Sequence, residues 1–316
     1  MSETPARAPE AGVAMTAIGV AVIRAWESRR PDRLYDDPAA QLFVDAANRS
    51  LGAGPDGAAR WARLEALAEQ FYAGRSVSVR LVDDDVETAV AAGCRQLVIL
   101  GAGLDTRAYR LSLPEEVDVF EIDLPELFAF KEPVLAAANA RPVCGRHVVA
   151  ADLREDWAGA LRANGFRADV PTHWVDEGVL GYLLREDAMR VVRTLTDLSA
   201  PGSHFGLAEF DTTQHRERYT ELQRLVLAGG RRAAGTQWAR TRRRTVARRE
   251  RMADRVPGLG RSGGAARSSG RPGQPGSRTD SRGPRVAARP EAASGPAHSA
   301  ICLVKAGVGA LLRCLP

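Results

Sequence analysis

The sequence predicts an α/β protein: a doubly wound, mostly parallel sheet with a helical cap before it and a disordered tail after it. Three observations lead there. Short apolar strands recur from Leu97 onward at spacings of about 20 to 30 residues, as crossover connections require. A glycine turn, Gly101-Ala102-Gly103, follows the first strand directly. Near residue 230 the composition changes abruptly.

The amino-terminal residues 1–15 are polar and rich in Pro, Ala and Glu, and are expected to be disordered. Residues 16–93 read as the helical cap. "TAIGVAVIRAW" places Ile18, Ala21, Val22, Ala25 and Trp26 on one helical face, with Thr16 as N-cap. A turn-rich segment, "RRPDRLYDDPAAQLFVDAA", leads into a second short helix. A third is expected from Ala58 to Ala73 with Gly74 as its stop, and a fourth from Val77 to Ala92.

Residues 94–230 read as the sheet domain. Its strands are "QLVILGAG", "VDVFEIDLP", "RHVVAADL", "PTHWVDEGVLGYL" and "SHFGLAEFD". Between and after them, "LPELFAFKEPVLAAA", "DWAGALRAN", "LREDAMRVVRTLTDLSA" and "TTQHRERYTELQRLVLAGG" carry helical spacing.

The formal charge of +5 hides two opposite parts. Residues 1–230 carry 25 Lys and Arg against 35 Asp and Glu, net −10, whereas 231–316 carry 19 against 4, net +15. Arg, Gly, Pro, Ala and Ser supply 53 of the residues in 231–300, too few large hydrophobes to offset the entropy of ordering, so this tail is expected to be disordered. Its composition reads as a GC-rich gene translated out of frame from near residue 230, since such codons yield those five amino acids. Its arginine runs could neutralise phosphates, but they lack the interleaved aromatics that stack bases, so a nucleic-acid partner is not expected.

Cys94, Cys144, Cys302 and Cys314 have no metal-ligand spacing and read as free thiols. With no signal-peptide core and no run of about 18 apolar residues, neither export nor a membrane is expected, and the location is read as cytoplasmic. The sequence carries no signal for an oligomeric state.

In a doubly wound sheet the ligand lies beyond the carboxyl ends of the strands, so the residues that follow each strand matter most. Four strand ends carry acids: Asp105 in the glycine turn, Asp123, Asp152, and Asp176 with Glu177. The turn has Gly101 and Gly103 but Thr106 where a dinucleotide fingerprint has its third glycine. Asp105 would repel a pyrophosphate at the following helix terminus, and suits a ligand with a cationic end. Asp123, 20 residues after Gly103, is placed for ribose hydroxyls, and Asp152 for the adenine amine. An adenosine laid across the sheet without a phosphate describes S-adenosyl-L-methionine.

Taken together, "LVILGAGLDTRAYRL", "FEIDLPELFAFK", "VVAADLRE" and "PTHWVDEGVLGYL", with the cap segment "TAIGVAVIRAWESRRPDRLYDDPAAQLF", resemble the S-adenosyl-L-methionine-dependent methyltransferases of the leucine carboxyl methyltransferase group over residues 12–228. The resemblance implies a Rossmann-like methyltransferase fold. It implies that Arg80 holds the methionine carboxylate, that the Gly101 to Gly103 turn takes the methionine backbone, and that Asp123 binds the ribose. It assigns Asp152 and Leu153 to the adenine, and Glu177 to the methionine amino group or the substrate mouth. It also implies two further strands after residue 228, and nothing in 231–316 is expected to supply them.

Several of these residues have structural readings as well. Arg80 could pair with Asp83 or Asp84 on its own helix, Asp105 could be an N-cap, and Asp176 and Glu177 could be solvated turn residues. Tyr109, His173, Trp174 and Tyr182 read as packing, and Arg107 as a surface or salt-bridge residue. The expected activity is methyl transfer to an oxygen of a small molecule. A carboxylate is favoured, since it is ionised at neutral pH and needs no general base. The alternatives are a cofactor-binding remnant impaired by the altered tail, and an NAD-dependent oxidoreductase.

Overall fold

Parallel pairing of buried apolar strands organises the chain. The computed structural model describes residues 7–9, 14–52, 56–207 and 302–303, all within one compact unit. The sheet strands are β1 (Gln96–Leu100), β2 (Asp118–Asp123), β3 (Gly145–Ala150), β4 (Thr172–Asp176), β5 (His204–Leu207) and β6 (Cys302–Leu303). Their order is β3-β2-β1-β4-β5-β6, and every pairing is parallel. Such a sheet is covered on both faces, which is why all five residues of β1 are buried and why Leu97 to Leu100 read as an unbroken apolar run. The order reverses between β1 and β4, so the crevice for a ligand opens at the carboxyl ends of those two strands.

The helices are α1 (Ala14–Ser28), α2 (Pro38–Gly52), α3 (Gly57–Ala91), α4 (Arg107–Arg110), α5 (Pro125–Ala137), α6 (Trp157–Ala163) and α7 (Arg185–Asp197). Helices α1, α2 and the first half of α3 bury Ile18, Val22, Phe43, Trp61 and Leu64 together with Phe130 of α5, forming the cap. The second half of α3 lays Val86 and Val90 on one face of the sheet, against Leu97, Ile99 and Val119. Trp157, Leu161, Val191 and Leu195 of α6 and α7 cover Val98, Phe120 and Trp174 on the other face.

Several expectations are corrected. The two helices expected on either side of Gly74 are one 35-residue helix. Gly74 costs about 1 kcal/mol in a helix interior, but the buried stripe Leu64, Ala68, Ser76, Val79, Asp83, Val86 and Val90 keeps its helical spacing past it, so packing outweighs the glycine. Thr16 lies inside α1, which starts at Ala14, and is not its N-cap. Near the amino terminus, expected to be disordered, Ala8 is buried and its N–H donates to Ser50 Oγ at 2.9 Å. In the tail, where no strand was expected, Cys302 and Leu303 pair with His204 and Phe205. The expected helix 212–230 and the rest of 231–316 lie outside the described residues.

Behind β2 lies a fully buried ion pair, Lys131 Nζ to Glu121 Oε2 at 2.6 Å, and Arg146 joins it at 2.7 Å while also bonding Glu132. Buried pairs of this kind add little net stability yet are costly to break from one side. Lys131→Met is expected to lower unfolding free energy by about 3 kcal/mol in urea denaturation, and adding Glu121→Leu to recover most of it.

Candidate functional site

At the carboxyl end of β1 the chain turns through Gly101 at φ 60° and Gly103 at φ 54°, backbone that L-residues with a Cβ avoid. Space excludes a side chain here too. A Cβ on Gly101 would lie 2.5 Å from Val179 Cγ2, and one on Gly103 would lie 3.2 Å from Ala17 Cβ. The turn is therefore covered from two directions, by α1 and by the segment after β4.

Asp123, at the end of β2, is tied to this turn. Its Oδ2 accepts the Gly103 N–H at 2.6 Å and its Oδ1 the Leu124 N–H at 2.7 Å, so each oxygen keeps acceptor capacity for a hydroxyl. Burial raises its pKa, while those two N–H groups and the charge of Lys131 oppose the rise.

Beside the turn is a cluster of charges centred on Arg107, which is 1% exposed. Its Nε donates to Asp83 Oδ1 of α3 at 2.8 Å, and its Nη1 bonds both Asp105 of the turn and Glu177 after β4. Arg110 fills the remaining side of Asp83, at 2.7 and 2.8 Å. Arg24 of α1 extends the cluster into the cap, bonding Asp37 at 2.7 Å, Thr106 at 3.1 Å and the Leu104 carbonyl at 2.5 Å. Burial alone would raise the pKa of Asp105, but the charges of Arg107, Lys131 and Arg24 more than reverse it and hold it at about 2. Arg107 is thus a buried salt-bridge centre rather than a surface residue. Asp105 is 8% exposed and both its oxygens bond Arg107, Oδ1 accepting the backbone N–H at 2.7 Å and Oδ2 the guanidinium, so it is an internal partner of Arg107.

The other strand ends divide. Glu177 is 20% exposed and lies between Arg107 and Arg75, whose Nη1 reaches its carboxylate at 3.5 Å and its carbonyl at 3.4 Å. Asp176 is buried, and its Oδ1 accepts the N–H groups of Gly178, Val179 and Leu180, so it is not a solvated turn residue. Asp152, after β3, is held by Arg154 through its N–H at 2.8 Å and its guanidinium at 2.5 Å, which lowers its pKa. Leu153 is buried with Phe120, Ile122 and Val149.

Arg80 is not brought to these strand ends. It is exposed, pairs with Asp84 and reaches the Leu34 carbonyl at 3.4 Å. Arg75 comes to Glu177 instead, because it flanks the buried stripe of α3 next to Ser76, whereas Arg80 shares the exposed side with Val77 and Leu81. Trp174 and His173 are fully buried, with Trp174 Nε1 donating to Ser199 Oγ at 2.9 Å, as packing residues would be. Cys94 and Cys144 are free thiols. Among the described residues no group of three or more His, Cys, Asp or Glu could hold a metal ion, and no helix is long and apolar enough to cross a membrane.

The family model for leucine carboxyl methyltransferase matches residues 17–196, from α1 to the end of α7. The chain belongs to the leucine carboxyl methyltransferase family. A relative from Parafrankia sp. (strain EAN1pec), named "putative S-adenosyl-L-methionine-dependent methyltransferase", is 49% identical over 199 residues, which cover 63% of this chain and 64% of that protein. One of the same name from Saccharopolyspora erythraea is 46% identical over 196 residues, covering 62% and 67%. The chain thus spans about two thirds of the length of the curated relatives it matches. A solved structure titled as a "putative methyltransferase" from Thermobifida fusca YX has a TM-score of 0.41 at 21% identity, covering 69% of this chain and 74% of that one.

Two outcomes are expected. Arg107→Met strands Asp105 and leaves Asp83 to Arg110 and Glu177 to Arg75 alone, and should cost about 3 kcal/mol of unfolding free energy, read in urea. Burial pushes Asp176 up to about 6, with the three N–H groups opposing, against an ordinary value of about 3.9. Because the folded state then binds the extra proton, this group's contribution falls as pH rises from about 4 to 6, by about 3 kcal/mol. Asp176→Asn should remove that decline when stability is measured across this range.

Proposed function

We propose that the chain is an S-adenosyl-L-methionine-dependent methyltransferase that methylates an oxygen of a small molecule, with a carboxylate as the favoured acceptor. The observation that carries this reading is Asp123, partly exposed and bonded to the Gly103 N–H with acceptor capacity to spare, which suits a ribose diol beside the glycine turn. Family membership and the names of the relatives support it.

The residues present fit this cofactor. Asp123 would hold the ribose hydroxyls, Gly101 to Gly103 would border the methionine portion, and Leu153 with Asp152 would border the adenine. Arg75, rather than Arg80, is the guanidinium suited to the methionine carboxylate, and Glu177 beside it is the acid suited to the amino group. When bound, the cofactor supplies an already activated methyl group on a sulfonium, so the protein's work is to hold the acceptor oxygen in line and exclude water.

A carboxylate acceptor is favoured by where the histidines stand. His147, His173 and His204 sit in the amino-terminal halves of β3, β4 and β5, and His147 pairs with Asp118 at 2.8 Å at the start of β2. Among the described residues no histidine stands at the carboxyl ends of the strands to take a proton from a phenol or alcohol. An ionised carboxylate needs none.

Calorimetric titration of S-adenosylhomocysteine into the full chain tests the cofactor. Binding should be unaffected by a chelator, weakened about a hundredfold or more in Asp123→Ala and about tenfold in Arg75→Ala, and unchanged in Arg80→Ala. A folded chain that binds NAD and not S-adenosylhomocysteine would contradict the reading. For the acceptor, methyl-labelled cofactor with a panel of carboxylic acids and phenols should give label that alkali releases as methanol.

A further inference from the structure

We propose that Asp176 is a positioning residue for the glycine turn: its buried carboxylate gathers the N–H groups of Gly178, Val179 and Leu180 and thereby seats Val179 on Gly101. What the seated turn serves rests on the methyltransferase reading above, whereas the anchoring itself does not.

The chain leaves β4 at Asp176 and reverses at Gly178, whose φ of 108° lies in the left-handed region. Three successive backbone N–H groups then point back at a single oxygen, Asp176 Oδ1, at 2.8 Å from Gly178, 2.6 Å from Val179 and 3.4 Å from Leu180. Successive amides curled in this way form a concavity that attracts an anion. Here the protein's own side chain fills it. Asp176 is 1% exposed, so water does not compete for these bonds.

The bonds fix the position of Val179. Its Cγ2 lies where it would be 2.5 Å from a Cβ on Gly101, so the valine packs directly over the glycine's Cα. Glu177, between the two, is held separately by Arg107 and Arg75. The segment after β4 therefore has two independent anchors, an ionic one for Glu177 and the Asp176 cradle for Val179. Replacing Asp176 would release only the second. The role is one of preorganisation: the wall over the glycine turn is set by bonds within the protein and not by the ligand.

The test compares full-length parent, Asp176→Leu, Asp176→Asn and Val179→Ala by amide hydrogen exchange and S-adenosylhomocysteine titration. In Asp176→Leu the amides of residues 178–180 should exchange about tenfold faster or more, with β1 unchanged, and affinity should fall about tenfold. Asp176→Asn keeps an acceptor oxygen and should restore both to within about threefold of the parent. Val179→Ala should weaken affinity about as much as Asp176→Leu while leaving exchange at 178–180 like the parent's. A folded Asp176→Leu with parental exchange, or an Asp176→Asn that exchanges as fast as Asp176→Leu, would overturn the anchoring. If Asp176→Leu does not fold, parental affinity in Val179→Ala would overturn the role. A parent that does not bind S-adenosylhomocysteine would instead sink the functional reading, with the exchange results still judging Asp176.

Discussion

The buried guanidinium of Arg107 is the constraint on which the site depends. It joins three carboxylates from three parts of the fold: Asp83 of α3, Asp105 of the glycine turn and Glu177 after β4. A charge this far from water is tolerated only when it is fully paired, so the three elements must arrive in register for the fold to close. Arg24 extends the same logic to α1, because its bonds to Thr106 and the Leu104 carbonyl form only when the cap lies against the turn. The glycine turn is thereby held between cap and sheet by directional bonds, where apolar packing alone would leave its orientation loose.

This division of labour is visible across the molecule. Apolar contacts supply the mass of the core, in one cluster within the cap and one on each face of the sheet. Buried charge pairs sit where elements must meet in one geometry: Arg107 at the turn, and Lys131 with Glu121 behind β2. Hydrogen-bonded carboxylates finish the strand ends, Asp123 on the Gly103 amide and Asp176 on the turn after β4. Of the two carboxylates at the glycine turn, Asp105 is buried against Arg107 and Asp123 stays partly exposed.

Much of this was legible in the sequence. Strands β1 to β4 were each legible as a short run ending in an acid or a glycine, most clearly β1 and β4, which are buried along their whole length. Three-dimensional pairing was not legible. Asp105 looked available to a ligand because the sequence cannot tell that Arg107, two residues on, folds back onto it. Gly74 looked like a helix stop because its local cost is real, and only packing along the whole of α3 overrides it. Arg80 rested on the family resemblance alone, and no local pattern shows that Arg75, five residues earlier, is the arginine that reaches Glu177. The strand at Cys302 was unreadable for another reason, since a two-residue pairing leaves no periodicity to detect.

A crystal structure of the full chain with S-adenosylhomocysteine tests the account most directly. Ribose hydroxyls are expected within hydrogen-bond distance of Asp123, with Arg107 still joining Asp83, Asp105 and Glu177. An adenosine bound away from Asp123, or an Arg107 that leaves those carboxylates when the ligand enters, would contradict it.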